Sequence, residues 1–283
     1  MIDLLLEPFE YAFLRNALVV CTVGGMLCGL LGVFVVLRGL SYLGHGLSHA
    51  IFGGAALSAA LGISYFIGAG IWGLATGLAI GRVTRKRPIG SDAAIGVLTT
   101  AGFAFGIVLL GLSTKVGRSI EATVFGSVLG VTGADTWMVV GATVVTVAVV
   151  VGWYRPLLFT TFDPEVAEAS GVPTARYDAL LMLLLCGAVL TTMRVMGVTL
   201  IAAALVVPAV VARMLTDSFG RMLVLSTVIG GATGLVGMYL SYHLDVASGA
   251  AIVLLQFAVF VVVFVATGIR DAVRRRPVAT AST

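Results

Sequence analysis

An all-α bundle of eight or nine membrane-spanning helices is the fold this sequence predicts. Three observations predict it. Hydrophobic residues make up 59% of the chain and charged ones only 11%, against about a quarter charged in a water-soluble domain. Apolar runs near the roughly 20 residues that a helix needs to cross hydrocarbon follow one another along most of the chain. The 36 glycines suit helices packed closely inside a membrane, where small residues let backbones approach. A water-soluble core has no room for so much apolar surface. The continuity of the runs excludes a disordered or fibrous chain.

The runs occupy residues 13–37, 41–62, 64–81, 92–112, 132–153, 177–193, 196–213, 221–240 and 249–268. The N-terminal stretch carries Asp3, Glu7 and Glu10 ahead of Arg15 and lacks the basic start of a cleaved signal. The first span is therefore expected to direct insertion and to remain. Only "LGISYF" separates the second and third runs, and Arg194 interrupts the sixth and seventh. These crowded pairs leave the count at eight or nine. Pro208 inside "AALVVPAVVARML" predicts a kinked or broken helix. The chain reads as a single transmembrane domain over 1–283.

Charge orients the spans. Arg85, Lys86 and Arg87 form one cluster, and Arg270 with Arg274, Arg275 and Arg276 begins a basic tail, 270–283. Both belong on the cytoplasmic side. Lys115 and Arg118 fall on the external side and run against that assignment. The largest polar interruption, 159–178, reads as a short cytoplasmic helix near 163–171. Asp163 caps it, Pro164 takes its first position, and Gly171 and Pro173 stop it. It is either a solvated connector or a docking element.

Chemistry concentrates in few places. Only three histidines are present, and His45 and His49 lie one helical turn apart on one face. Neutral imidazoles bind borderline divalent ions. The alternative is a buried pair bonded to carbonyls and serines. Polar groups in a membrane helix are costly, which favours a role on a pathway. His243 and Asp245, in "SYHLDVASG", form either a weak entry site or a solvated loop. Asp135 is either an N-cap or a pathway carboxylate. Cys21, Cys28 and Cys186 are scattered through apolar runs and give neither disulfides nor a thiolate site. The chain has no GxxxxGK[ST] phosphate loop and no HExxH motif, so neither ATP hydrolysis nor zinc-dependent proteolysis is read here.

Five blocks carry a resemblance: "GLLGVFVVLRGLSYLGHGLSHAIFGGAAL" (29–57), "VFGSVLGV" (124–131), "FDPEVAEASGVP" (162–173), "RVMGVTLIAAALVVPAVVARML" (194–215) and "LSYHLDVASGAAIVL" (240–254). In their order they resemble the permease family of ABC-type zinc/manganese importers, from about residue 12 to 268. The resemblance implies a type II, vitamin B12 importer-like architecture in the inner membrane. It implies a homodimer, ATP-binding subunits on the cytoplasmic side and an extracytoplasmic metal-binding protein. No cofactor is held permanently; the metal is cargo, and ATP belongs to the partner. The 163–171 helix becomes a candidate coupling element, with the 213–221 loop as its rival. His49 matches the family's "DALSHA"-like histidine. His45 stands where the family commonly has aspartate. Two nitrogens in place of an oxygen and a nitrogen shift the expected cargo toward zinc, with manganese or iron as the alternative. Asp135 and Asp245 would supply oxygen elsewhere. An ion-coupled secondary transporter is a rival reading that calls for acidic residues inside the runs, where few fall. A scaffold with structural histidines is another.

Overall fold

The computed structural model describes residues 11–86, 91–112, 131–197 and 200–274. The stretch before Tyr11, Arg87, the 113–130 segment with Lys115 and Arg118, and the tail beyond Arg274 lie outside the described residues, as do the side chains of Arg85, Lys86 and Arg194. Among the described residues there are eleven helices and no strand. They are α1 (Ala12–Leu37), α2 (Leu43–Leu61), α3 (Tyr65–Lys86), α4 (Ser91–Leu112), α5 (Gly133–Gly152), α6 (Tyr154–Phe162), α7 (Pro164–Ala169), α8 (Thr174–Met196), α9 (Ile201–Leu215), α10 (Phe219–Leu244) and α11 (Ser248–Arg274).

Each of the nine apolar runs lies on a helix, yet the expected count of eight or nine spans is corrected. Seven of the described helices are long and apolar enough to cross a membrane. The two that fall short are α2 and α9. Helix α2 has 19 residues but dilutes its apolar run with His45, His49, four glycines and two serines. Helix α9 has only 15 residues, about 22 Å of rise, and carries Pro208 in its interior. Each is flanked by longer helices, so each fills the bundle without the continuous apolar length of a lone span.

Helix α1 is the axis of the fold. It is buried on most of its circumference, from Leu14 through Phe34, and packs against α5, α8, α9 and α10. Lipid gives no hydrophobic drive between helices, so close packing and hydrogen bonds must hold them. The α1–α10 seam shows how. Gly25 faces the Gly230 carbonyl, Gly29 faces Ser226, and Gly234 faces the Cys21 carbonyl, backbone against backbone. Ser226 Oγ donates to the Gly29 carbonyl at 2.5 Å. Hydroxyls elsewhere bond back to carbonyls one turn earlier, as Thr22 does to Leu18 and Thr192 to Ala188, so they carry no unpaired donor into the bilayer.

Helix α2 forms a second layer with α3 and α4. Gly39 (φ 68°) and Gly62 (φ 70°) turn the chain at its two ends in the left-handed region that glycine tolerates best. Gly46 lies against Ile95 and Thr99, and Gly53 against Gly102 and Gly106, so α2 and α4 run parallel in close register. Helix α11 leaves Leu254, Phe257, Val262 and Phe264 exposed, an apolar surface suited to acyl chains.

One charged network ties three elements together. Arg38, just after α1, donates through Nη1 to Asp178 of α8 at 2.6 Å. Its Nε and Nη2 donate to Thr161 and Thr160 of α6, each at 3.2 Å. Helix α7 follows directly, N-capped by Asp163, whose Oδ1 accepts from the Val166 N–H at 3.0 Å.

Candidate functional site

The first turns of α2 place His45 and His49 one above the other. Their Nε2 atoms are 3.1 Å apart, and their rings meet edge to face at 4.4 Å between centroids. With no ion between them, one nitrogen donates its proton and the other accepts. With both rings presenting lone pairs, the same two nitrogens converge on one cation. Phe103 of α4 packs edge-on against His49 at 4.6 Å and limits its rotation. Nδ1 of His49 is buried without a hydrogen-bond partner, whereas His45 is exposed.

Both histidines open on a cavity of about 490 Å³ between α2 and α4. Tyr42, Thr99, Thr100 and Phe103 line it, and so does Asp92 from the first turn of α4. His45 also borders a second cavity, of about 320 Å³, with Ser41, Tyr42, Ala202 and Val206. His45 therefore lines both cavities.

The other sequence-chosen residues do not join them. Asp135 is 4% exposed and completes a capping box at the start of α5. Its Oδ2 accepts from Thr132 N at 2.9 Å and from Thr132 Oγ1 at 2.6 Å, and its own N–H donates to Thr132 Oγ1 at 3.3 Å. His243 sits at the end of α10 between the rings of Tyr239 and Tyr242, at 4.5 and 5.3 Å. Asp245 is the left-handed C-cap of the same helix, at φ 50°. Because α10 runs antiparallel to α1, His243 and Asp245 lie near the start of α1. The His45–His49 pair lies toward the other end of α1, because Gly44 and Gly32 both pack against Leu205 of α9. Among the described residues no three of His, Cys, Asp and Glu come together as a metal-holding group.

Sequence reading missed Asp92 as a cavity residue and missed the Arg38–Asp178 pair. Asp92 reads as an ordinary acidic helix start, and only the α2–α4 packing brings it to the histidines. The paired Gly46/Gly53 and Gly102/Gly106 positions were the available signal. Arg38 and Asp178 are 140 positions apart, and no local pattern connects them.

The ABC 3 transport family model matches residues 10–267. A manganese transport system membrane protein, MntC of Halalkalibacterium halodurans, is 39% identical over 258 residues, covering 91% of this chain and 88% of its own. A probable iron transport system membrane protein of Haemophilus influenzae is 34% identical and covers 95% of this chain and 99% of its own. The solved structure of PsaBC from Streptococcus pneumoniae in complex with Fab superposes with a TM-score of 0.84 at 34% identity, covering 93% of this chain and 95% of that one. This likeness overturns the expected vitamin B12 importer-like type II architecture: the bundle follows the PsaBC arrangement. The earlier expectation carried local motifs over to a whole-bundle arrangement that those motifs do not encode. By its matched length, its helices and its relatives, the chain belongs to the ABC 3 transport family, as the multi-pass permease subunit of a divalent-metal importer.

Proposed function

We propose that this permease carries manganese, with ferrous iron as its second cargo, past the His45–His49 pair. The observation that carries the reading is the 39% identity, over nine-tenths of the chain, to a protein named for manganese transport. The probable iron transport protein supports the second cargo. Zinc, the first expectation from two imidazoles, gives way to that alternative. His45 and His49 are the proposed contact points, because their Nε2 atoms converge on the wall of one cavity. His243 and Asp245 are proposed as the outer end of the same path, since they lie at the far end of α1. Asp135 is proposed only as a cap, because both its carboxylate and its N–H are engaged with Thr132.

The transporter works with a second permease copy, cytoplasmic ATP-binding subunits and an extracytoplasmic metal-binding protein. ATP hydrolysis belongs to those separate subunits. Two proposals follow for the chain itself: it forms one transmembrane domain, and α7 lies on the cytoplasmic face as a coupling element. The deciding experiment is ATP-driven uptake into vesicles containing the full complex, with manganese, ferrous iron and zinc in competition. Manganese should be taken up fastest, and equimolar zinc should leave most of that uptake intact. Zinc uptake exceeding manganese uptake overturns the cargo. Normal uptake by an assembled His45→Ala, His49→Ala double variant overturns the site.

A further inference from the structure

We propose that Asp92 is a second metal station on the path, an oxygen donor whose presence selects manganese and ferrous iron over zinc. The inference rests on reading His45 and His49 as the first station. It resolves a conflict of chemistry. Two neutral imidazoles by themselves rank zinc well above manganese, which sits near the bottom of the divalent series and prefers carboxylate oxygen. A manganese path through a bare histidine pair therefore needs an oxygen donor nearby.

Asp92 is placed to supply it. Its side chain is exposed and lines the cavity of about 490 Å³ that both histidines line. Among the described residues lining that cavity it is the one carboxylate. Its position is held by packing rather than by chance. A Cβ on Gly46 would stand 2.6 Å from Thr99 Cγ2 and 2.7 Å from Ile95 Cγ2. The first turn of α4 is thus locked beside the first turn of α2. Tyr42 and Thr100 add hydroxyls to the same walls.

The carboxylate does not close with the two imidazoles into a three-ligand group. It acts instead as a neighbouring station that receives the ion. Selection then arises at the transfer. Moving manganese from two nitrogens to a carboxylate and waters exchanges one acceptable environment for a better one. Moving zinc the same way gives up its preferred nitrogens, so zinc dwells on the histidines and passes slowly. The negative charge also draws the cation off a pair that carries none.

The test uses the full transporter complex in proteoliposomes, with manganese and zinc as separate and competing cargoes. Asp92→Asn keeps a helix-start residue and removes the anionic donor. Asp92→Glu keeps the donor. His45→Asp restores a carboxylate on α2. The proposal expects Asp92→Asn to lower manganese uptake on the order of tenfold and to lower the manganese-to-zinc ratio of initial rates. Asp92→Glu should recover the ratio, and Asp92→Asn should cost less in the His45→Asp background. An unchanged ratio in Asp92→Asn, alongside lost uptake in the double-histidine variant, overturns the proposal and leaves Asp92 a helix-start residue. If the double-histidine variant transports normally, the first station fails and this inference fails with it. Should Asp92→Asn not assemble, Asp92→Glu decides: its ratio must stay near wild type, and a fall in that ratio overturns the proposal.

Discussion

Replacing Asp178 by alanine should be the most damaging single truncation at the end of α1. The perturbation strands Arg38. Its side chain is only 10% exposed, whereas that of Asp178 is 27% exposed. Removing one partner of a well-buried ion pair costs about 3–5 kcal/mol. The partial exposure of the pair lowers that figure, and the Thr160 and Thr161 hydroxyls still accept from the guanidinium. A loss of about 2–3 kcal/mol is the result. Arg38→Met is milder, because the aspartate left behind can hydrate: about 1–2 kcal/mol covers three lost hydrogen bonds offset by a retained apolar stem. The double variant should cost less than the sum of the two, since neither charge is then stranded. Thermal unfolding of the detergent-solubilised permease reads these values at roughly 2–4 °C per kcal/mol. Asp178→Ala should fall by about 5–10 °C. Additive losses, or an Asp178→Ala variant as stable as the parent, would refute the reasoning. The same variants bear on transport, because the turn from Arg38 to Tyr42 leads directly into the histidine helix.

Gly25→Ala pushes a methyl group into the Gly230 carbonyl, where neither backbone can yield. It should abolish recovery of monodisperse protein by size exclusion, whereas Gly81→Ala, with open space around it, should not. Asp135→Ala should cost about 1 kcal/mol through its lost cap and leave metal uptake per assembled complex unchanged. An uptake loss beyond threefold would return Asp135 to the pathway. Replacing α7 with a flexible linker should leave ATPase turnover intact in the complex while uptake falls more than tenfold. Equal ATPase and uptake after that change would reject coupling through this helix.

Much of the fold was legible because each helix must bury its own backbone polar groups, and long apolar runs record that need directly. All nine runs lie on helices, with ends displaced by a few residues. The span count was not legible in the same way. Helix α2 keeps its length while giving up apolar character to histidines and glycines, and α9 is simply short. The His45–His49 proximity could be read because one turn fixes it. Asp92 could not, since its approach depends on α2–α4 register. For Asp135, the spacing to Thr132 was a local capping signal and the competing pathway role was not. The cargo was the least legible. Two imidazoles speak for zinc in isolation, whereas the relatives carry manganese and iron names over nearly the whole length.

The seam between α1 and α10 constrains how the molecule can move. Where α-carbon meets carbonyl, a slide of one residue, about 1.5 Å, brings a side chain into space that holds only backbone. The two helices are therefore obliged to travel as one piece. Helix α2 is held in the same way, Gly53 against the Gly102 carbonyl of α4 and Gly54 against the Gly68 carbonyl of α3, while its ends turn at Gly39 and Gly62 in open space. The permease thus joins two stiff pieces, α1 with α10 and α2 with α3 and α4, and the histidines ride on the second.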